Sequence, residues 1–266
     1  MMYKISFTIS TIIICLFLMA CYTRKEACLD TIASNFDVSA DDNCDDCCKY
    51  PQLILNIRHM AGDSTFSTQN IYTNDLNQSY QLSDIRFYLS AFKIFKSNES
   101  NIYQVIETIS NADKSVTISD DIKICRIADN TITIGSVKTF GTTDSISFNV
   151  GLNSDISNTE FVDLPSSHVL LNLNKLKDEN NQTCLATVKF TKFNPPSETL
   201  NLCLTDPGSA TKIAIDSTIF TAKGENIIYT IYTDYLQLFK NVNLDTSVTE
   251  IEKQVSKNFG NIIVVK

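Results

Sequence analysis

The sequence lacks tryptophan and has only two histidines, His59 and His168, among its 266 residues. Histidine is the usual side chain for acid–base chemistry near neutral pH and the commonest protein ligand of metals. A catalytic triad or a histidine-rich metal site would have to use one of these two side chains. The sequence also lacks the patterns of a nucleophilic serine elbow, a zinc-protease helix, a phosphate-binding loop and a dinucleotide-binding loop. We therefore expect a protein that is not an enzyme.

Clusters of basic residues are missing as well. The chain carries a formal net charge of -8, whereas binding to nucleic-acid phosphates requires concentrated Lys and Arg. We expect no nucleic-acid partner. The sequence does not identify a protein partner.

The N-terminal segment has the pattern of a bacterial lipoprotein signal. Lys4 gives a short positive segment, residues 5–19 are mostly apolar, and Leu18-Met19-Ala20-Cys21 matches a lipobox. The apolar run is too short for a comfortable membrane-spanning helix, which needs about 20 residues. We expect cleavage before Cys21, its lipidation, and anchoring to a membrane of the cell envelope, at the periplasmic or surface face of the outer membrane. A plain secretory signal or a short N-terminal anchor is the alternative.

The cysteines indicate disulfides. With Cys15 inside the signal and Cys21 lipidated, an odd number remains: Cys28, Cys44, Cys47, Cys48, Cys125, Cys184 and Cys203. An exported protein folds in an oxidising compartment, so disulfides are expected, with at least one thiol left over. Cys184 and Cys203 could pair across neighbouring strands. The C-x-x-C spacing of Cys44 and Cys47 leaves a thiolate metal site or a redox pair as alternatives.

Composition divides the chain into three segments. Residues 1–20 are the signal, residues 21–50 hold the lipid anchor, a tether and a Cys/Asp-rich module, and residues 51–266 form the main domain. The module is too short to build a core of its own, so a disulfide or a metal ion must hold it.

The main domain reads as short strands rich in Ile, Val, Phe, Tyr and Thr, separated by polar turns. We expect strands at residues 53–57, 85–95, 103–109, 131–140, 145–152, 169–173, 184–193, 200–204, 212–215 and 227–238. This spacing favours an antiparallel sandwich or barrel over βαβ units. We predict an all-β fold, an antiparallel β-sandwich of Ig-like or related type.

One short C-terminal helix completes the prediction. Thr246 or Ser247 can cap it, with Glu250 as the capping-box partner, and Gly260 can end it. Apolar residues recur on one face at Val248, Ile251, Val255 and Phe259. Residues 262–265 can form a last strand.

Residues 28–44 resemble a small module common in exported proteins of Bacteroidetes-type bacteria. The matching residues are Cys28, Asp30, Ala33, Asn35, Phe36, Asp37, Ala40, Asp41, Asp42 and Cys44. The resemblance implies a disulfide between Cys28 and Cys44. The module is also similar to calcium-binding repeats, since Ca²⁺ takes hard oxygen ligands, and the carboxylates concerned are Asp30, Asp37, Asp41 and Asp42. A solvated acidic tether is the alternative.

The main domain resembles the MbnP-like copper-binding family, periplasmic or surface β-proteins associated in some bacteria with copper scavenging. The similar segments are Leu55–Gly62, Leu82–Ser90, Phe148–Leu152 and the closing helix over 251–263. The resemblance implies copper at His59, with His168 and Met60 as further candidate ligands, because Cu(I) accepts soft and imidazole ligands.

The chain departs from this family at the metal site. The family carries an aromatic stretch with Trp, and a modified Trp helps to hold copper in its copper-binding members. Here residues 166–172 keep only His168, and residues 190–195 lack a later His of the family. Met60 is adjacent to His59, and adjacent strand residues point to opposite faces. Two functions stay open: a non-catalytic binding lipoprotein with copper as the candidate ligand, or a structural or interaction surface lipoprotein that has lost the metal site.

Overall fold

The structure is a computed structural model of the chain. It describes residues 23–264 apart from 45, 97–101, 112–115, 158, 162, 172, 194 and 206–210. The predicted signal and the predicted lipidation site, Cys21, lie outside the described residues. The chain divides into two compact units, Met1–Tyr50 and Pro51–Lys266, which are described separately.

The smaller unit is a module stapled by two disulfides. Its strands β1 (Glu26–Ala27) and β2 (Asp42–Asn43) pair in parallel. Disulfides join Cys28 with Cys48 and Cys44 with Cys47. Buried Cys28 and Cys44 pack with Ala33 at its centre, so covalent links replace the core that so short a segment cannot build.

The implied pairing of Cys28 with Cys44 is wrong, and Asn35 gives the reason. The Asn35 amide nitrogen donates to the carbonyl just before Cys48 at 2.8 Å. Its side-chain oxygen accepts from the N–H just after Cys48 at 2.7 Å. These two bonds hold the backbone around Cys48 against the turn that follows Cys28, and the Cα atoms of Cys28 and Cys48 lie 5.0 Å apart.

The larger unit is built almost entirely from strands. In chain order these are β3 (Gln52–Ala61), β4 (Ser64–Thr65), β5 (Tyr72–Thr73), β6 (Ser79–Phe95), β7 (Ile102–Tyr103), β8 (Thr108–Asn111), β9 (Val116–Ser119), β10 (Lys123–Arg126), β11 (Thr131–Ser136), β12 (Gly141–Val150), β13 (Ala186–Lys192), β14 (Glu198–Leu204), β15 (Thr211–Thr221), β16 (Ile227–Asp234) and β17 (Ile263–Val264). Its helices are α1 (Ser154–Ser157), a 3₁₀ helix (Tyr235–Phe239) and α2 (Val248–Phe259).

Two sheets form the sandwich. An 8-stranded sheet runs in the order β14-β13-β6-β12-β15, with β5, β7 and β10 also paired to β6. A 5-stranded sheet runs β11-β3-β16-β17, with β4 paired to β3. The all-β sandwich predicted from the sequence is confirmed. One pair departs from the antiparallel pattern, because β3 and β16 run parallel, which places Thr233 beside His59.

The core follows from the alternation of side chains along each strand. On β3, Leu53, Leu55 and Ile57 are buried while the residues between them are partly exposed. One cluster of buried side chains draws on both sheets, including Phe87 and Phe148 of the larger sheet. The main core therefore lies between the two sheets, as in other sandwiches.

A second cluster is built by the connection between β12 and β13. Leu170 and Leu176 from this connection pack with Tyr88 of β6. The disulfide between Cys184 and Cys203 joins the end of the connection to β14, so the predicted pairing of these cysteines is confirmed.

The strand expected over 169–173 does not form in its described part. The Leu170 N–H donates to the His168 ring at 3.1 Å, and the Leu171 N–H donates to the His168 carbonyl at 3.1 Å. Local bonds of this kind compete with a sheet ladder and turn the chain instead.

The C-terminal helix forms where the sequence predicts it. The Ser247 hydroxyl caps α2 by accepting from the Glu250 N–H at 3.3 Å, and Gly260 lies at its C-terminus. Its buried face consists of Ile251, Val255 and Phe259. Among the described residues, none of the helices has the length and apolar character needed to cross a membrane.

Candidate functional site

His59 lies near the end of β3, at the edge of the main core. The inward alternation of Leu53, Leu55 and Ile57 continues to His59, which is half-buried. The residue paired with His59 on the neighbouring strand β16 is Thr233, which is fully buried. The strand register therefore brings the imidazole to one end of the sandwich interior.

Both ring nitrogens of His59 are hydrogen-bonded. Nδ1 lies 2.7 Å from the Tyr235 hydroxyl, and Nε2 lies 2.8 Å from the Asp129 carbonyl oxygen. The His59 and Tyr235 rings are nearly parallel, at 12° with centroids 5.6 Å apart. The imidazole is thus clamped between a loop and the 3₁₀ helix.

These partners define the protonation of His59. A carbonyl oxygen can only accept, so Nε2 carries the hydrogen and Nδ1 accepts from Tyr235. Burial raises the pKa of Tyr235 well above its usual value, so the phenol keeps its proton. Burial also lowers the pKa of His59. The site therefore holds a neutral imidazole with both nitrogens in use.

Asp234 positions Tyr235 by ending β16 and starting the 3₁₀ helix. Its carboxylate accepts from the Leu236 N–H at 3.1 Å and from the Gly62 N–H at 3.0 Å. Gly62 has a φ of 64°, a conformation that favours glycine. The predicted strand over 227–238 is therefore too long, because this cap turns the chain after Asp234.

A tight turn positions the carbonyl of Asp129. The Asp129 N–H donates to the Arg126 carbonyl at 3.0 Å. The Asp129 carboxylate in turn accepts from the Arg126 N–H at 2.9 Å. The turn thereby presents the Asp129 carbonyl to His59.

A surface cavity of about 390 Å³ adjoins His59. Met60 lines the same cavity, together with Arg58 and Phe66. The other lining residues are Ile57, Thr65, Ser67, Thr68, Ile127, Ala128 and Asn130. The cavity thus combines one imidazole and one thioether with apolar and hydroxyl groups.

His168 lies in the connection between β12 and β13, in a different set of contacts. Its Nε2 is 2.9 Å from the Asp120 carboxylate, and its Nδ1 accepts from the Leu170 N–H at 3.1 Å. Its hydrogen bond lowers the pKa of Asp120. His168 shares none of these partners with His59 and does not line the His59 cavity.

Asp121 is buried, although it lies beside Asp120 in a polar stretch of the sequence. Asp121 is only 4% exposed, and its carboxylate accepts from the Phe92 N–H at 2.6 Å. Burial raises its pKa. This carboxylate stabilises an irregularity in β6, where Ala91 has a φ of 56°.

The sequence model of the family described as MbnP matches residues 50–194, more than half of the chain, including both histidines. The chain belongs to the MbnP family. Among solved structures, "MbnP from Methylosinus trichosporium" aligns over 72% of this chain and 78% of its own chain, at 10% identity and a TM-score of 0.40. A search of curated proteins gave no match.

The copper that the MbnP resemblance implies does not fit the candidate ligands as they are arranged. All four ring nitrogens of His59 and His168 are engaged within the fold. In the described part of the chain, no group of three or more His, Cys, Asp or Glu side chains could hold a metal ion. Beside His59, the Thr233 hydroxyl finds no hydrogen-bond partner among the described residues, but a hydroxyl is a hard group and a poor Cu(I) ligand.

The carboxylates considered for calcium are engaged inside the module. Asp30 accepts from the Ile32 N–H and the Tyr50 hydroxyl, at 3.0 and 2.9 Å. Asp41 accepts from the Lys25 N–H at 2.8 Å. Asp42 pairs with Arg24, and Asp37 pairs with Lys25.

The contacts of Asp37 favour its charged form. A hydrogen bond from Lys25, followed by bonds from Ser39, lowers the pKa of Asp37 to about 2. Carboxylates of this module therefore stabilise its turns through N–H and O–H donors, contacts that calcium coordination would have to replace.

Among the described cysteines, Cys125 alone is unpaired, and it is buried in the main core. Burial raises the pKa of its thiol, which disfavours the thiolate needed for metal binding or redox chemistry. Cys47 and Cys48 are each bonded within the smaller unit, so neither pairs with Cys125.

The residues that form hydrogen bonds with the His59 ring were not identified from the sequence. Tyr235 lies 176 residues away and Asp129 lies 70 residues away. The Asp before an aromatic-rich stretch at 234–239 is a capping signal that could have marked the end of β16. The contact of Tyr235 with His59 depends on the parallel pairing of β3 and β16, for which the sequence carries no signal.

Proposed function

We propose that this chain is a lipid-anchored, non-catalytic binding protein of the bacterial cell envelope whose histidines stabilise an MbnP fold and do not hold copper. The lipobox ending at Cys21 supports anchoring and export. The acidic chain and the absence of catalytic motifs in the sequence support a non-catalytic role that involves no nucleic acid. Its working partners are then the membrane, through the lipid, and another molecule at the protein surface.

One observation carries the proposal: the hydrogen bonds on both nitrogens of His59. A ligating histidine commonly donates one N–H to a carbonyl and leaves the other nitrogen for the metal. His59 has the first feature, since Nε2 faces the Asp129 carbonyl. The other nitrogen accepts from the buried Tyr235 hydroxyl, so its lone pair is not free to bind a metal.

Copper binding at His59 and Met60 is the second candidate function. The observation in its favour is that both side chains line one cavity, and Cu(I) tolerates few, soft ligands. Binding there would require Cu(I) to displace the Asp129 carbonyl or the Tyr235 hydroxyl from the imidazole.

Nitrogen NMR of the imidazoles distinguishes these two functions. The full chain has only two histidines, so histidine-selective ¹⁵N labelling in detergent micelles gives a readable spectrum. We expect a neutral His59 ring with hydrogen on Nε2, and spectra of both histidines that are unchanged by one equivalent of Cu(I) under reducing conditions. Loss or a large shift of the His59 resonances, abolished in the Met60→Leu variant, would support copper instead.

Anchoring is tested separately. We expect metabolic labelling with a fatty acid to mark the wild-type chain and not the Cys21→Ser variant. Equal labelling of both chains would contradict lipidation at Cys21.

A further inference from the structure

Strand β15 ends the path of the larger sheet. In the described part of the chain it pairs with β12 alone. It spans Thr211–Thr221 and is 11 residues long. The outer edge of such a strand presents backbone N–H and C=O groups that can pair with another strand.

Side chains on β15 divide cleanly between its two faces. Ile213 and Ile215 pack against the main core. Lys212, Ala214 and Asp216 are exposed. The register between β12 and β15 shifts only after Asp216, so residues 212–216 form a regular strand segment.

Two antiparallel copies of this segment can place opposite charges across from each other. Lys212 and Asp216 stand two residues on either side of Ala214, on the same face. If two copies pair antiparallel about a two-fold axis at Ala214, Lys212 lies opposite Asp216 of the partner subunit, and the reverse contact also forms. A self-complementary patch is what an isologous interface requires, and opposite charges directly across two strands are favourable.

We propose that β15 is a homodimerisation edge at which two copies of this chain pair in antiparallel fashion about Ala214. The larger sheet then continues from one subunit into the other. On the core side, Ile213 lies opposite Ile215 of the partner subunit, which extends the apolar layer. The small side chain of Ala214 leaves room at the axis. Pairing over residues 212–216 alone buries little surface, so we expect the dimer to dissociate at low protein concentration.

Cross-linking at the axis tests the register. Directly opposite Cα atoms in an antiparallel pair lie about 4.5 to 5.5 Å apart, within the distance that a disulfide spans. We expect full-length Ala214→Cys protein, oxidised in its membranes, to run mostly at the dimer mass without reductant and at the monomer mass with it. Thr218→Cys is the matched control, because Thr218 is exposed on the same strand but away from the axis.

Charge reversal tests the proposed contacts. In the Ala214→Cys background, Lys212→Asp or Asp216→Lys alone should lower the cross-linked fraction several-fold, because like charges then face each other. Combining Lys212→Asp with Asp216→Lys should restore it. Equal cross-linking at 214 and 218, a monomeric Ala214→Cys protein, or a charge-swapped protein that stays monomeric would overturn the proposal.

Discussion

At the scale of single residues, the hydrogen bonds of the His59 ring decide whether this member of the family can bind copper there. The motif around His59 identifies it as the candidate copper ligand from the sequence alone. Its hydrogen bonds could not be predicted, because the Tyr235 donor and the Asp129 acceptor come from distant parts of the chain. The same imidazole that a motif marks as a ligand is used here as a structural hydrogen-bonding group.

Removal of the Tyr235 hydroxyl should destabilise the fold. Tyr235→Phe keeps the ring against Phe66 but leaves Nδ1 of His59 without its donor. A buried polar group left unsatisfied costs about 1 to 3 kcal/mol, and urea denaturation measures the change in the free energy of unfolding.

Tyr229→Phe is the control for this substitution. The Tyr229 hydroxyl contacts the Thr143 hydroxyl at 3.0 Å, which also bonds the Ile219 carbonyl. Thr143 therefore keeps a partner, and the loss should be smaller. A larger loss for Tyr229→Phe than for Tyr235→Phe would contradict this account of His59.

Stability should depend on pH through His59. Burial lowers its pKa in the folded chain below the ordinary value of 6.5. Below that pH the unfolded chain binds a proton that the folded chain does not, so the free energy of unfolding falls as the pH falls. We expect the wild type to lose stability from pH of about 7 towards 5 more steeply than His59→Gln. Parallel curves for the two proteins would show that His59 is not buried as a neutral group.

At the scale of elements, the sequence predicts the strands that show an alternating apolar pattern and the helix that has a capping residue. The helix α2 with its Ser247 cap lies at its predicted position, and β3, β6 and β12 overlap their predicted ranges. Strand β6 begins at Ser79, well before the predicted start at residue 85. Predictions fail where a side chain redirects the backbone. His168 turns the chain in place of the strand expected over 169–173, and Asp234 ends β16 early.

The irregularity in β6 could not be predicted from the sequence. Ala91 has a φ of 56° within the strand, and the register between β6 and β12 shifts next to it. Asp121 holds this bulge by accepting from the Phe92 N–H. Neither residue carries a local signal, because Ala91 looks like an ordinary strand residue and Asp121 like a residue of a polar turn.

Substitutions at Ala91 test this bulge. A β-branched residue is strained at positive φ, whereas glycine adopts it freely. We expect Ala91→Val to lower the free energy of unfolding by about 1 to 3 kcal/mol, and Ala91→Gly to leave it nearly unchanged. Thermal unfolding followed by circular dichroism measures both. Similar stability of the two variants would mean that Ala91 does not adopt this conformation in solution.

At the scale of the whole molecule, the composition and family resemblance predict the all-β sandwich and its C-terminal helix. The second cluster could not be predicted, because it depends on an irregular connection that folds onto β6 and β14. The disulfide between Cys184 and Cys203 fixes the end of that connection.

Loss of this disulfide should destabilise the larger unit. The bridge spans a sequence separation of 19 residues, and removal of such a link costs about 2 to 4 kcal/mol. We expect this loss for the Cys184→Ala, Cys203→Ala double variant in guanidinium denaturation. Addition of reductant should then have little further effect on the larger unit of the variant. A double variant as stable as the oxidised wild type would contradict a structural role for the bridge.

The measurement that tests the central claim most directly is a competition titration with Cu(I) under reducing conditions. It compares the full-length wild type in detergent with His59→Ala and His168→Ala, and mass spectrometry gives the metal content. Our account predicts that neither substitution changes the affinity or the stoichiometry, because the imidazoles serve as internal hydrogen-bonding groups. Stoichiometric binding by the wild type that is lost in His59→Ala would contradict it and make this chain a copper-binding member of the MbnP family.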